Sequence, residues 1–263
     1  MRLAATSPRV VLGDVDGNLQ RIRVALQDAV ARGAQLIVLP ELATSGYVFT
    51  DRHEAAAASI TRDHAGWAHL ESALPPEVVA VVGYAERDGT SLFNSAAVLA
   101  GTRRIGDYRK AHLWGGEAAL FEHGLSAGAL FDTPLGQLAV AICYDNEFPE
   151  VPRRLALSGA EVLALPVNWP LIARPDGEHP PETIQAMAAA RSSRLPTVIA
   201  DRSGVERGVQ WTGGTAIIDD DGWVAAVPDE SGMAVATLSV RSPGDKSLPP
   251  HNDLFGDRRP ELY

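Results

Sequence analysis

Residues 140–150, VAICYDNEFPE, hold the chain's only cysteine, Cys143, where an apolar run gives way to a polar turn. A lone cysteine is most often a small buried core residue, so the thiol needs reactive company to be read as a nucleophile. Two other polar residues share its setting: Glu41 follows the apolar run LIVLP, and Lys110 follows RIGDYR. A carboxylate, an ammonium and a thiol are the components of an acyl-transfer site. A thiol of pKa about 8.5 is mostly protonated at neutral pH, and only the thiolate attacks well. A carboxylate starts about 4 units too acidic to take that proton, a gap of about 5–6 kcal/mol. Burial raises the Glu41 value and a neighbouring Lys110 lowers that of Cys143. The lysine can then hold the oxyanion of a tetrahedral intermediate, worth about 3–4 kcal/mol per donor. His112 is the histidine nearest to Lys110 and is expected to face elsewhere.

Strand ends must position these groups, because ligands of α/β sheets bind beyond the carboxyl ends of strands. Leu19, Ile22, Leu26 and Val30 recur at helical spacing, with Asp16 and Asn18 as candidate caps and Gly33 as the stop. QLIVLP then reads as a strand covered on both faces. EVVAVVGYAE, SAAVLAG, RIGDYRK, GQLAVAIC, EVLALPV, PTVIAD, GTAIIDD and GMAVATLSV are further strands. Residues 149–158 and 181–194 read as helices, with Pro152 and Pro181 in their first turns. WTGGTAIIDDDGW reads as two strands around an acidic turn. GAQLIVLPEL (33–42) and GAEVLALPVN (159–168) echo one another, as two similar halves would. Periodicity alone leaves a (β/α)₈ barrel equally open.

With these residues placed, the chain resembles the nitrilase (carbon–nitrogen hydrolase) superfamily. The likeness rests on VLPELATSGY around Glu41, YRKAHLW around Lys110 and ICYDNEFPE around Cys143, and it extends to the closing NDLFGDRRPELY. The resemblance implies an α/β fold, a four-layer αββα sandwich, in a single domain over residues 1–263. Residues 241–263 are expected to form a C-terminal tail packing at an oligomer interface. It implies a catalytic triad of Glu41, Lys110 and Cys143, a thioester intermediate, and neither a metal nor an organic cofactor. Many members add a second glutamate, and the spacing K-x-H-L-[FW]-x-x-E selects Glu117, leaving Glu122 to solvent.

By the same resemblance, Glu41 is the general base, and Lys110 with the Tyr144 backbone N–H forms the oxyanion hole. Glu117 orients the substrate and steadies Lys110 and Glu41. The tripeptide CYD, where nitrilases tend to carry Trp-Glu after the cysteine, implies an amidase or ω-amidase-like branch acting on a small carboxamide. A nitrilase or an N-carbamoyl-amine hydrolase using the same triad is the alternative. Tyr47, Asn168 and Trp169 are the substrate-binding candidates. Asn146-Glu147 stands where many relatives have Arg or a hydrophobic residue, so no substrate carries over from the well-studied branches.

Composition narrows the partners. The 46% hydrophobic and 21% charged residues are those of an ordinary globular chain. A formal charge of -10 without a Lys/Arg cluster argues against nucleic acid and anionic membrane. One cysteine excludes an intramolecular disulfide and suits a reducing compartment. The N-terminal MRLAATSPRVVLGD lacks a signal peptide's apolar stretch, and no window is apolar over a membrane span. The expectation is a cytoplasmic homodimer or higher homo-oligomer acting on a small molecule.

Three rivals are weaker. GLSAG (124–128) matches G-x-S-x-G formally, but a nucleophilic Ser126 needs a strand before it and a helix after it, and neither flank fits. The histidines show no HExxH or HxH, and His53, His64 and His69 fall in a polar surface segment. A degenerate scaffold has no reason to keep all four site residues.

Overall fold

The computed structural model describes residues 1–262. The first half runs β1 (Arg2–Thr6), α1 (Val15–Ala31), β2 (Leu36–Val38), α2 (Arg52–Ala57), α3 (Gly66–Glu71), β3 (Val79–Asp88), β4 (Ser91–Ala100) and β5 (Arg103–Arg109). The second half opens with β6 (Ala129–Thr133), β7 (Gly136–Val140), α4 (Glu150–Leu157), β8 (Val162–Pro166), α5 (Pro181–Ser193) and β9 (Thr197–Ala200). It continues with β10 (Val205–Glu206), β11 (Val209–Gln210), β12 (Ala216–Ile218) and β13 (Val224–Ala226). Finally come β14 (Met233–Thr237), β15 (Ser247–Leu248) and β16 (Asn252–Asp253).

Two six-stranded sheets result, ordered β14-β1-β2-β3-β4-β5 and β13-β12-β9-β8-β7-β6. The side-chain period of two explains how they stack. Leu3, Ala5, Leu36, Val38, Val79 and Val81 enter a core shared with Leu138, Val140, Val162 and Ala164 of the other sheet. Their neighbours Ala4, Ile37, Ala80 and Val82 turn the opposite way, onto Leu19, Ile22 and Leu26 of α1 and Trp67 and Leu70 of α3. Val151, Leu155, Ala186 and Ala190 of α4 and α5 close the far side. The layers are therefore helix, sheet, sheet, helix: the αββα sandwich. Strands covered on both faces read as continuous apolar runs, which is why QLIVLP and EVLALPV carried no alternation.

The internal echo has a structural counterpart. β1, β2 and β3 are parallel, as are β7, β8 and β9, and antiparallel strands flank each trio. The repeated segments supply β2 and β8, the middle strand of each trio.

Some local readings change. α1 is capped by Asp14, whose side chain accepts from Gly17 N, and not by Asp16 or Asn18. Asn18 is buried inside the first turn and ties its amide to the carbonyls of Val11 and Thr44. The strands β1 and β6, whose RLAAT and ALFDT mix polar with apolar residues, did not stand out, and neither did the six-residue helices α2 and α3. The acidic turn does join β12 to β13. Beyond residue 241 the chain folds back onto itself: buried Lys246 donates to the Arg194 carbonyl at 3.0 Å, and Arg153 donates to the Leu254 carbonyl. Tyr263, the end of that tail, lies outside the described residues. No described helix is long and apolar enough to cross a membrane.

Candidate active site

Glu41 lies just past β2 and is fully buried. Its loop sits flat on β3, where a Cβ at Gly83 would come within 2.2 Å of the Pro40 carbonyl oxygen and 2.7 Å of the Glu41 Cα. Glycine is required there by close approach. Glu41 Oε1 accepts from Asn94 Nδ2 and Lys110 Nζ, both at 2.7 Å, while the buried Oε2 has no hydrogen-bond partner. Burial pushes the carboxyl up to about 7, against the pull of the Lys110 charge.

Lys110, just past β5, is also fully buried. Its Nζ lies 2.9 Å from both carboxylate oxygens of Glu117 as well as bonding Glu41. Burial alone would lower its pKa, but the charges of Glu41 and Glu117 outweigh that and raise it. The ammonium is thus fixed in its charged form. Glu117, in a short 3-10 turn, is tied further by Trp114 N at 3.0 Å and by the Tyr47 hydroxyl, which donates to Oε1.

Cys143 opens the turn after β7 with a φ of 48°, in the left-handed region that a non-glycine residue enters at a cost of about 1 kcal/mol or more. Asp145 over-determines that conformation. This buried carboxylate accepts from Ile142 N at 2.9 Å, the Tyr108 hydroxyl at 2.7 Å and His112 N at 3.1 Å, with His112 Nδ1 at 2.7 Å. His112 therefore faces the nucleophile's support and not Glu41, as expected, and its ring stacks on Phe148. Burial and the Glu41 charge push the Cys143 thiol well above its ordinary value, against the pull of Lys110 and the Asn168 backbone. The lysine pulls in the direction read from sequence and is outweighed. Cys143 is thus held as a thiol, with a raised carboxylate beside it.

Cys143, Trp114, Tyr144, Asn168 and Trp169 line a cavity of about 320 Å³, with Glu147 and Glu182 also on its wall. A second cavity of about 470 Å³, lined by Tyr47, Glu117 and Trp211, shares Trp114, Asn168 and Pro170 with it. All three predicted binding residues reach these walls. Tyr47 does so by a hydroxyl committed to Glu117, and Asn168 by lying on both. Asn168 Nδ2 donates to the Glu41 carbonyl at 2.9 Å, leaving its buried Oδ1 unpartnered.

Several residues escaped the sequence reading. Asp201, just past β9, accepts from the backbone N–H groups of Trp169, Arg202 and Gly214, and burial pushes it up to about 7 against those three bonds. Glu206 accepts from Tyr47 N and Val48 N while pairing with Arg202. Asn94 had a visible signal, an amide in the middle of the apolar run of β4. Ser126 is in an exposed loop, bonded to the Gly128 carbonyl, and His53 and His69 are exposed. Glu122 is exposed and pairs with Arg52.

Residues 2–243 match the family model for carbon-nitrogen hydrolase. A nitrilase of Pyrococcus abyssi is 36% identical over 94% of this chain and 93% of its own length. A citrullinase of Francisella tularensis is 31% identical, covering 94% of this chain and 91% of that protein. Among solved structures, a mutant of an amidase of the nitrilase superfamily from Nesterenkonia AN1 superposes with a TM-score of 0.79 at 25% identity. The match covers 100% of this chain and 95% of that one.

Proposed function

The chain belongs to the carbon–nitrogen hydrolase family, and on that footing we propose that it cleaves a small carboxamide to a carboxylic acid and ammonia through a thioester on Cys143. The observation that carries this reading is the buried contact of Glu41, Lys110 and Glu117 next to a cavity lined by Cys143.

Cys143 Sγ attacks the amide carbon as its proton passes to Glu41, whose second oxygen is free to take it. A carboxyl raised to about 7 narrows the unfavourable gap to the thiol. Lys110 Nζ bonds three carboxylate oxygens, and because Glu117 can be held through one N–H, the other N–H on that side can turn to the oxyanion. The turn's own hydrogen bonds begin at Asp145 N, which donates to the Ile142 carbonyl, so the Tyr144 N–H stands ahead of them as a second oxyanion donor. Collapse breaks the C–N bond, and ammonia leaves with the Glu41 proton. Glu41 then takes a proton from water, whose oxygen attacks the thioester and releases the acid and the thiol. Asn168 Oδ1 accepts from the substrate NH₂, and Glu117 holds Lys110 in line.

Cleavage of a carbamoyl group by the same steps is the second reading, and the citrullinase relative favours it. Ammonia release from a panel of amides, nitriles and carbamoyl compounds, with Cys143→Ala as the blank, separates the two. A panel silent on every amide overturns the first reading. The same proposal places the enzyme in the cytoplasm, and makes residues 241–263 the contact for a second copy; light scattering on the eluted protein tests the latter.

A further inference from the structure

The cavity at Cys143 carries two carboxylates that the steps above leave idle. Glu147 closes the turn begun by Cys143, and Glu182 lies in the first turn of α5. Among the described residues neither forms an ion pair, and Glu182 Oε2 is buried without a hydrogen-bond partner. Burial and the charge of Glu182 both push the Glu147 carboxyl above its ordinary value. Glu147 is exposed and Glu182 half-buried, so two like charges share one cavity wall with no cation between them. A helix N-terminus accounts for one carboxylate at position 182, but not for a second one turned to the same cavity.

We propose that Glu147 and Glu182 form a cation subsite, so that the amide opened by Cys143 carries a protonated amine. This rests on the amide-hydrolysis reading and names its substrate class. The chemistry around the pair fits such a molecule. Trp114, Trp169 and Ile172 give the same cavity apolar walls for a methylene spacer, and an indole face also attracts an ammonium. Asn168 Oδ1, buried and unpartnered on the cavity wall, is left for the amide end. An ammonium between the carboxylates relieves their repulsion, and a neutral or anionic tail does not. The chain's formal charge of -10 adds a weak, salt-screened attraction for the same cation.

The test compares ammonia release from ω-amino amides of three to five methylenes with release from isosteric amides bearing a methyl in place of the ammonium. In the wild type, kcat/KM favours the ammonium amide by about tenfold or more, mainly through KM. In the Glu147→Gln/Glu182→Gln double variant that ratio falls toward one, and in Glu147→Lys preference moves to amides ending in a carboxylate. Because each readout is a ratio within one protein, general damage to the fold cancels. A wild-type ratio near one, or a ratio unchanged in the double variant, overturns the proposal. Should the wild type be silent on both amides, the reaction reading fails, and calorimetry on Cys143→Ala decides the subsite by itself. Tighter binding of the ammonium amide, lost with the two glutamines, supports it; equal binding of both amides overturns it.

Discussion

Glu41 and Asp201 are two buried carboxyls, each just past a parallel strand and each pushed up to about 7 by burial. They differ in what surrounds them. Asp201 spends both oxygens on three backbone N–H groups, which pin Trp169, Arg202 and Gly214. Glu41 puts one oxygen on Asn94 and Lys110 and keeps the other unpartnered, beside a thiol. A shifted pKa is therefore shared by a structural acid and a reactive one. Spare hydrogen-bonding capacity and a buried positive neighbour distinguish them. The same split divides the sandwich: the first half supplies the charges, and the second supplies the nucleophile and oriented backbone.

The largest effect should come from neutralising each acid. Glu41→Gln removes the proton acceptor, and turnover falls by about 10³-fold or more while the melting temperature holds. Cys143→Ala abolishes ammonia release outright, again with the fold retained. Asp201→Asn reverses the pattern. Its amide turns an N–H toward a backbone N–H, costing about 1–3 kcal/mol of stability, while kcat falls by less than about tenfold. Steady-state kinetics with denaturant melts on the three variants read both axes. A thousandfold loss of kcat at position 201 with unchanged stability would erase the distinction.

Lys110→Met sharpens it from the other side by taking away the cation that only Glu41 has. Two buried carboxylates are then left uncompensated, and stability drops by about 3–5 kcal/mol, seen as an early midpoint in urea. A variant as stable as the wild type would mean that the carboxylates are not ionised together.

The pH dependence separates the acids again. The folded carboxyls keep their protons up to about 7, whereas unfolded Glu41 and Asp201 lose theirs near 4.5 and 3.8. Between those values the native state binds more protons, so both acids make stability fall as pH rises toward 7. Activity runs the opposite way, because Glu41 must be ionised to accept the thiol proton, so kcat/KM climbs through about 7. Asp201→Asn should flatten part of the stability slope and leave the kinetic limb in place. A kinetic limb that vanishes with Asp201 assigns the base to the wrong carboxyl.

The reactive acid was legible in the sequence and the structural one was not, for a physical reason. Glu41 and Cys143 each stand as a single reactive group directly beyond an apolar run, so the strand announces them, whereas Lys110 ends the charged strand RIGDYR and is marked by its strand-end place alone. Asp201 ends PTVIAD in the same manner, but its partners Trp169 and Gly214 come from other loops, and no local pattern shows whether its oxygens are spent. Asp145 reads as an ordinary turn residue, and its bonds come from Tyr108 and His112 as well as its own turn. Glu206 holds the Tyr47 loop from 159 residues away. The fold was readable where strands are long and apolar, and the echo located both middle strands. It failed at β1 and β6, which are no shorter than β7 or β8 but whose RLAAT and ALFDT are broken by polar residues, and at the six-residue helices α2 and α3, which are too short for a helical period to show.

The smallest effect belongs to Tyr47, the residue that joins the two acids' neighbourhoods. Its hydroxyl donates to Glu117, its backbone N–H is held by Glu206, and its ring meets the edge of Trp211 with centroids 5.4 Å apart. Tyr47→Phe keeps the ring contact and the backbone bond and deletes only the donor to Glu117. That oxygen still has Lys110 at 2.9 Å, so the carboxylate remains satisfied and stability changes by about 1 kcal/mol or less. What changes is the share of Lys110 that Glu117 demands: with one donor fewer, Glu117 draws the ammonium harder and away from the oxyanion. A fall in kcat of about three- to tenfold, with KM for a small amide little altered, is the expected signature. A loss as large as that of Glu41→Gln would mean that the phenol itself moves a proton, and spare capacity on Glu41 would no longer identify the base.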